Sequence, residues 1–164
     1  MDMKRGQAFE TMMLVISVIV AVAILGVLLG FIGSINLTTT DAKMVMTDLL
    51  KKVDQQGHGL ELKVGEFAEG SRIFKVDAIG ELPIPSDKVE FACANSGRSI
   101  CGGGSGAPLS VTASSVVANQ KISAAIVVCK TASGSNKGKY YVCIGDKDNK
   151  NSASNDCASK CALT

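Results

Sequence analysis

Thr11–Gly33 reads TMMLVISVIVAVAILGVLLGFIG, 23 residues without a charge. As a helix the run extends ~35 Å at ~1.5 Å per residue, which predicts a segment able to cross a hydrocarbon core. Setting it aside leaves roughly 130 residues rich in Gly, Ser, Asn and Lys, enough for one small core. The whole chain has 164 residues, no Trp, 17 Gly and 6 Cys, with 46% apolar residues. The expected fold class is therefore α+β, with a long N-terminal hydrophobic helix as a stem and a small β-rich, disulfide-stapled head.

Charge is asymmetric around the apolar run. Lys4 and Arg5 stand just before it, and Lys43 is the first basic residue after it. That bias predicts an N-terminus kept in the cytoplasm and a remainder sent outside. Lys4 and Arg5 are two of the 17 basic residues, and Asp2 and Glu10 two of the 15 acidic ones, leaving 15 against 13 beyond Gly33. With no basic stripe and few aromatics, nucleic-acid binding has no electrostatic support.

Cys93, Cys101, Cys129, Cys143, Cys157 and Cys161 all lie downstream of the apolar run. An even count in a small exported domain predicts disulfides. No C-x-x-C pair occurs, and the one histidine, His58, is far from the cysteines in sequence, so no metal is expected. Nearest-neighbour pairing (Cys93–Cys101, Cys129–Cys143, Cys157–Cys161) is the first expectation, with other connectivities open.

An ordinary secretory signal has a shorter apolar region followed by a small-residue cleavage site, and neither is present. Between the positive charges and the apolar run stands Lys4-Arg5-Gly6-Gln7-Ala8-Phe9-Glu10-Thr11. A glutamate at the edge of such a helix is costly unless it finds a partner. This stretch resembles the class III signal peptides of archaeal type IV pilin-like proteins. In that family basic residues and a Gly precede a Gln, and a Glu follows shortly before an unbroken hydrophobic helix. The interval from Gln7 to Glu10 is three residues, where the family usually has four. The resemblance implies that a prepilin peptidase cuts between Gly6 and Gln7 and leaves the helix on the mature protein. It implies three regions: a leader over 1–6, an N-terminal helix over 7–58, and a head over 59–164. The helix would be hydrophobic over 11–33 and amphipathic over 41–56.

Packing such helices together in parallel removes apolar surface from water, at about 25 cal/mol per Å2. Glu10 would then pair with the new amino group of a neighbouring subunit. Gly26-Val27-Leu28-Leu29-Gly30 is a G-x-x-x-G that lets helices approach closely, with Gly33 extending the small face. Gly26 and Gly30 are thus assembly candidates beside Glu10.

Asn36-Leu37-Thr38 is an N-glycosylation sequon. Thr38–Asp41 offers N-cap residues, and Met44, Val45, Leu49, Leu50 and Val53 recur at near-helical spacing up to Gly57. From Leu60 the period changes. Leu60–Val64, Arg72–Ala78, Lys88–Cys93, Lys121–Cys129 and Tyr140–Ile144 read as strands. Val111–Gln120 reads as either helix or strand, and Leu82–Pro85 as a loop. The segment from Gly145 to Thr164 reads as a surface loop stapled by its two cysteines.

Catalysis has little support. No nucleophile–base–orienter set occurs, Cys157 and Cys161 have the wrong spacing for a thioredoxin-type pair, and Glu61, Glu66 and Glu69 read as a solvated face. The Gly-rich loop Cys101–Gly106 lacks the Lys-Ser/Thr ending of a phosphate loop. No enzyme activity and no cofactor are expected. The expectation is a filament-forming pilin, with itself, the membrane, a prepilin peptidase and the pilus assembly machinery as partners. It would sit in the cell membrane as a precursor and at the cell surface when mature. A single-pass membrane-anchored binding ectodomain is the second reading, and a minor pseudopilin the third.

Overall fold

Asp41 opens the helix on which the larger unit is built. Its carboxylate accepts a hydrogen bond from the Lys43 amide at 2.8 Å, which satisfies one of the donors that every helix start leaves unpaired. The helix runs Ala42–Gln56 and ends at Gly57, whose φ of 75° places it in the left-handed region that favours glycine. Val45, Met46, Leu49, Leu50 and Val53 recur three and four apart and are all buried, so one face is a continuous apolar stripe.

The computed structural model describes the backbone of residues 3–34, 41–57, 59–102 and 106–163; within the first range side chains are described for 12–27, and elsewhere for all but residue 96. The chain forms two compact units, Met1–Thr38 and Thr39–Thr164. In chain order the elements are α1 (Met3–Ser34), α2 (Ala42–Gln56), β1 (Gly59–Phe67), β2 (Arg72–Phe74), α3 (Lys75–Ile79), β3 (Val89–Cys93), α4 (Arg98–Cys101), β4 (Leu109–Val111), β5 (Ser115–Ala118), β6 (Ile122–Lys130), β7 (Tyr140–Asp146) and α5 (Lys150–Lys160).

The first unit corrects the expectation of a membrane-crossing stem over 11–33. Among the described residues, no helix is long and apolar enough to cross a membrane. The described apolar side chains of α1 cover 12–27.

The second unit is a four-stranded sheet in the order β1-β6-β7-β3, with a three-stranded sheet β2-β5-β4 beside it. The β1–β6 and β6–β7 pairs are antiparallel, whereas β3 runs parallel to β7. Alternation along β6 decides which residue faces which layer. Ala124, Ile126 and Val128 join the cluster built on α2, together with Val142 and Ile144 of β7. Val127, Cys129 and Cys143 join a second cluster with Ala153, Cys157 and Cys161. Helix α2 therefore covers one face of the sheet and α5 the other, which makes the unit layered helix–sheet–helix.

Gly65 lets α2 lie close. A Cβ there would stand 2.7 Å from Ile126 Cδ1 and 2.9 Å from Ala42 Cα. Only a residue without a side chain allows the start of α2 to rest on β1.

Two segments differ from their reading in the sequence. Arg72–Ala78 is a strand only as far as Phe74, after which Lys75–Ile79 forms a short helix. The Asp77 carboxylate accepts from the Phe74 amide at 3.0 Å and stabilises that helix start. The polar stretch after Gly145 is not a loop throughout, because Lys150–Lys160 is helical. It carries only Ala153 and Cys157 as buried residues, too thin an apolar stripe for a hydrophobic pattern to reveal.

Candidate assembly surface

Along 12–27 helix α1 is apolar on every side. Among its described residues, twelve large apolar side chains are exposed, from Met12 at 70% and Leu14 at 66% to Val27 at 65%. The one polar side chain in 12–27, Ser17, turns its hydroxyl back onto the Met13 carbonyl at 2.8 Å. A helix without a polar face belongs inside an apolar environment. Covering those twelve side chains is favourable by on the order of 10 kcal/mol before the entropy of ordering is counted.

Gly26 lies on this surface, and a Cβ added there would meet nothing within 4 Å of the same chain. Its notch is therefore open. Gly6, Gln7, Glu10 and Gly30 fall on α1, but their side chains and surroundings lie outside the described residues. Asn36 and His58 also lie outside them.

The cysteines are where the sequence pointed to disulfides, but their pairing corrects the nearest-neighbour expectation. Cys93 bonds Cys101 as expected, with Cα atoms 5.8 Å apart. Cys129 instead bonds Cys161, and Cys143 bonds Cys157. In the β6–β7 register Cys129 lies opposite Tyr141 and Cys143 opposite Val127, so the two strand cysteines are not a facing pair. Both point to the α5 side, where Cys157 and Cys161 stand one turn apart on the same helical face. The two bridges fasten α5 to adjacent strands.

A polar cluster that the sequence did not signal closes one end of the α2 layer. Asp54 of α2 accepts hydrogen bonds from the Tyr140 hydroxyl of β7 and, at 3.2 Å, from the Lys130 ammonium of β6. Lys130 also sits 4.9 Å from the Tyr140 ring centroid, a cation–π distance. The Tyr140 hydroxyl foremost, and the Lys130 ammonium after it, hold the Asp54 carboxyl below the usual carboxylate range, against the cost of partial burial. Lys130 is pushed up, first by Tyr140 and then by Asp54. Burial foremost pushes Tyr140 up. Asp54 and Tyr140 are 86 residues apart in sequence, so no local spacing could have joined them. The cluster ties a helix to two strands, and no nucleophile or base stands free within it.

An open groove at the start of α2 is lined by Asp41, Lys43, Glu66, Phe67, Arg72 and Ile73. Its charges are mixed, and Lys121 already pairs with Glu66 at 2.9 Å. Among the described residues, no group of three His, Cys, Asp or Glu could hold a metal ion. Comparison with family models, with curated proteins and with solved structures gave no match.

Proposed function

We propose that the chain is a structural subunit of an extracellular, pilin-like filament, assembled by packing α1 against the same helix of other copies. The observation that carries this reading is the surface of α1, apolar all round and exposed along 12–27. The head has a buried core of its own and needs no cover from such a helix. Three disulfides fit an oxidising compartment. Residues Lys4 to Glu10 add the resemblance to class III signal peptides, with a prepilin peptidase and the pilus assembly machinery as the partners it implies.

Ile19→Lys tests the reading, since Ile19 is 63% exposed on α1. A charge there must be desolvated at every subunit contact. The variant should be produced with its three disulfides intact, yet be lost from filaments sheared off the cell surface. A filament yield equal to wild type would overturn the proposal.

A further inference from the structure

Strand β1 is an edge of the four-stranded sheet. Its inner side pairs with β6 along its whole length. On its outer side Asp41 forms a bridge with Glu66. Among the described residues no other backbone hydrogen bond reaches that side, so with respect to them 59–65 is an open edge. Such an edge is a template for another strand.

The side chains of this edge are complementary to themselves. Leu60 and Leu62 pack toward the α5 side of the sheet, and Val64 shares their parity. Glu61 and Lys63 lie on the opposite face, toward α2, where Glu61 accepts from Gln56 at 3.1 Å and Lys63 contacts the Asp48 carboxylate. These contacts hold both side chains on the α2 face of the strand.

We propose that β1 pairs antiparallel with β1 of a second copy about a two-fold axis at Leu62, joining two heads into one continuous sheet. In that register Leu62 meets the partner's Leu62, and Leu60 meets the partner's Val64. Glu61 meets the partner's Lys63, and the two-fold axis repeats each unlike pair. Opposite charges across a strand pair attract and like charges repel. Centring the axis on Glu61 sets two glutamates face to face, and centring it on Lys63 sets two lysines face to face. A one-residue slip sends every side chain to the wrong layer. The sequence Leu60-Glu61-Leu62-Lys63-Val64 thus selects one register. A lone lysine on an edge strand keeps other strands away. With Glu61 two residues before it, Lys63 finds its complement in a second copy.

This contact lies on the head and is independent of packing through α1, so either can fail alone. The test uses the full chain in detergent, which covers α1, with sedimentation of wild type, Glu61→Lys, Lys63→Glu, their equimolar mixture, and the double variant Glu61→Lys/Lys63→Glu. Wild type should form dimers. Each single variant puts like charges opposite and should dimerise at least tenfold more weakly. The mixture should recover dimers, because one chain then offers two lysines and the other two glutamates. The double variant restores unlike pairs and should dimerise as wild type does, although it places a glutamate beside Asp48. Amide exchange over 60–64 should slow on dimerisation. Monomeric wild type, single variants that dimerise normally, or a mixture or double variant that stays monomeric would each overturn the proposal.

Discussion

The Cys129 sulfur lies 3.5 Å from the Cys157 sulfur, although each is bonded to a different partner. The two bridges that hold α5 are therefore neighbours in space, and a thiol freed from one stands within reach of the other.

This neighbourhood makes single and paired cysteine removals behave differently. Cys161→Ser leaves Cys129 as a thiol beside the Cys143–Cys157 bridge. Its thiolate attacks Cys157, forms a Cys129–Cys157 bond and releases the Cys143 thiolate. Nonreducing peptide mapping should find that exchanged bond in Cys161→Ser, and only the native pairs in wild type. Cys129→Ser/Cys161→Ser removes one bridge cleanly, with an expected loss of about 2–5 kcal/mol. Removing both bridges should release α5, whose buried apolar residues besides Cys157 reduce to Ala153. Amide exchange over 150–160 would then approach that of an exposed chain. Continued protection there would show that α5 docks without its bridges.

At Gly65 the start of α2 lies too close to β1 for a side chain. Gly65→Ala brings a methyl against backbone at Ala42 and against the end of Ile126. Ile126 can yield, but the Ala42 backbone cannot without moving the helix. The expected loss is about 1–3 kcal/mol by urea denaturation. Gly65→Ala/Ile126→Val should recover part of it by removing the Ile126 terminal methyl. An unchanged midpoint in Gly65→Ala would mean that α2 does not rest on β1 this closely.

The Asp54–Lys130–Tyr140 cluster gives stability a pH dependence of known sign. The Asp54 carboxyl is lowered on folding, so its contribution is present above a pH of about 4 and is lost as pH falls through its folded value. Lys130 and Tyr140 are raised, so theirs is full below a pH of about 10 and is lost as pH rises through their folded values. Asp54→Asn removes the group that titrates in acid and should flatten the acid limb of a plot of urea midpoint against pH. The alkaline limb, which rests first on Tyr140 burial and on the Tyr140–Lys130 contact, is only reduced. The same pH dependence in wild type and variant would show that the cluster is not coupled to folding.

The parts of this fold legible in the sequence are those with a short-range cause. Val45, Leu49, Leu50 and Val53 carry a period that only a helix explains, and all are buried. Strand β6 is read from its apolar run and β7 from a similar one, and both are found. Helix α5 has no such period, because covalent bonds to Cys129 and Cys143 fasten it where a stripe of leucines would in another helix. For the same reason nearest-neighbour pairing fails: Cys161 reaches Cys129 across 32 positions of sequence. The apolar character of α1 is plain from Met12 to Val27, whereas the sequence of one chain carries no signal for what covers it. Asp54 and Tyr140 meet only once the sheet has formed.

Glu10 supplies the sharpest test of assembly through α1. Packing α1 helices together puts this carboxylate at the edge of an apolar bundle, where an unpaired charge is costly. The signal-peptide resemblance implies a cation for it, the amino group that cutting after Gly6 would create on Gln7 of an adjacent subunit. Removing one partner of a buried ion pair costs about 3–5 kcal/mol, and in a filament the loss recurs at every subunit. Glu10→Ala and Glu10→Gln should both be produced and cut normally, with a mature chain starting at Gln7 by mass spectrometry. Both should lower filament yield in sheared fractions at least tenfold, the glutamine variant included, because it keeps the size and loses the charge. Normal yield from Glu10→Gln would remove the ionic role. A wild-type chain that retains Met1 would remove it as well, because the amine that Glu10 needs would then stand six residues further away in sequence.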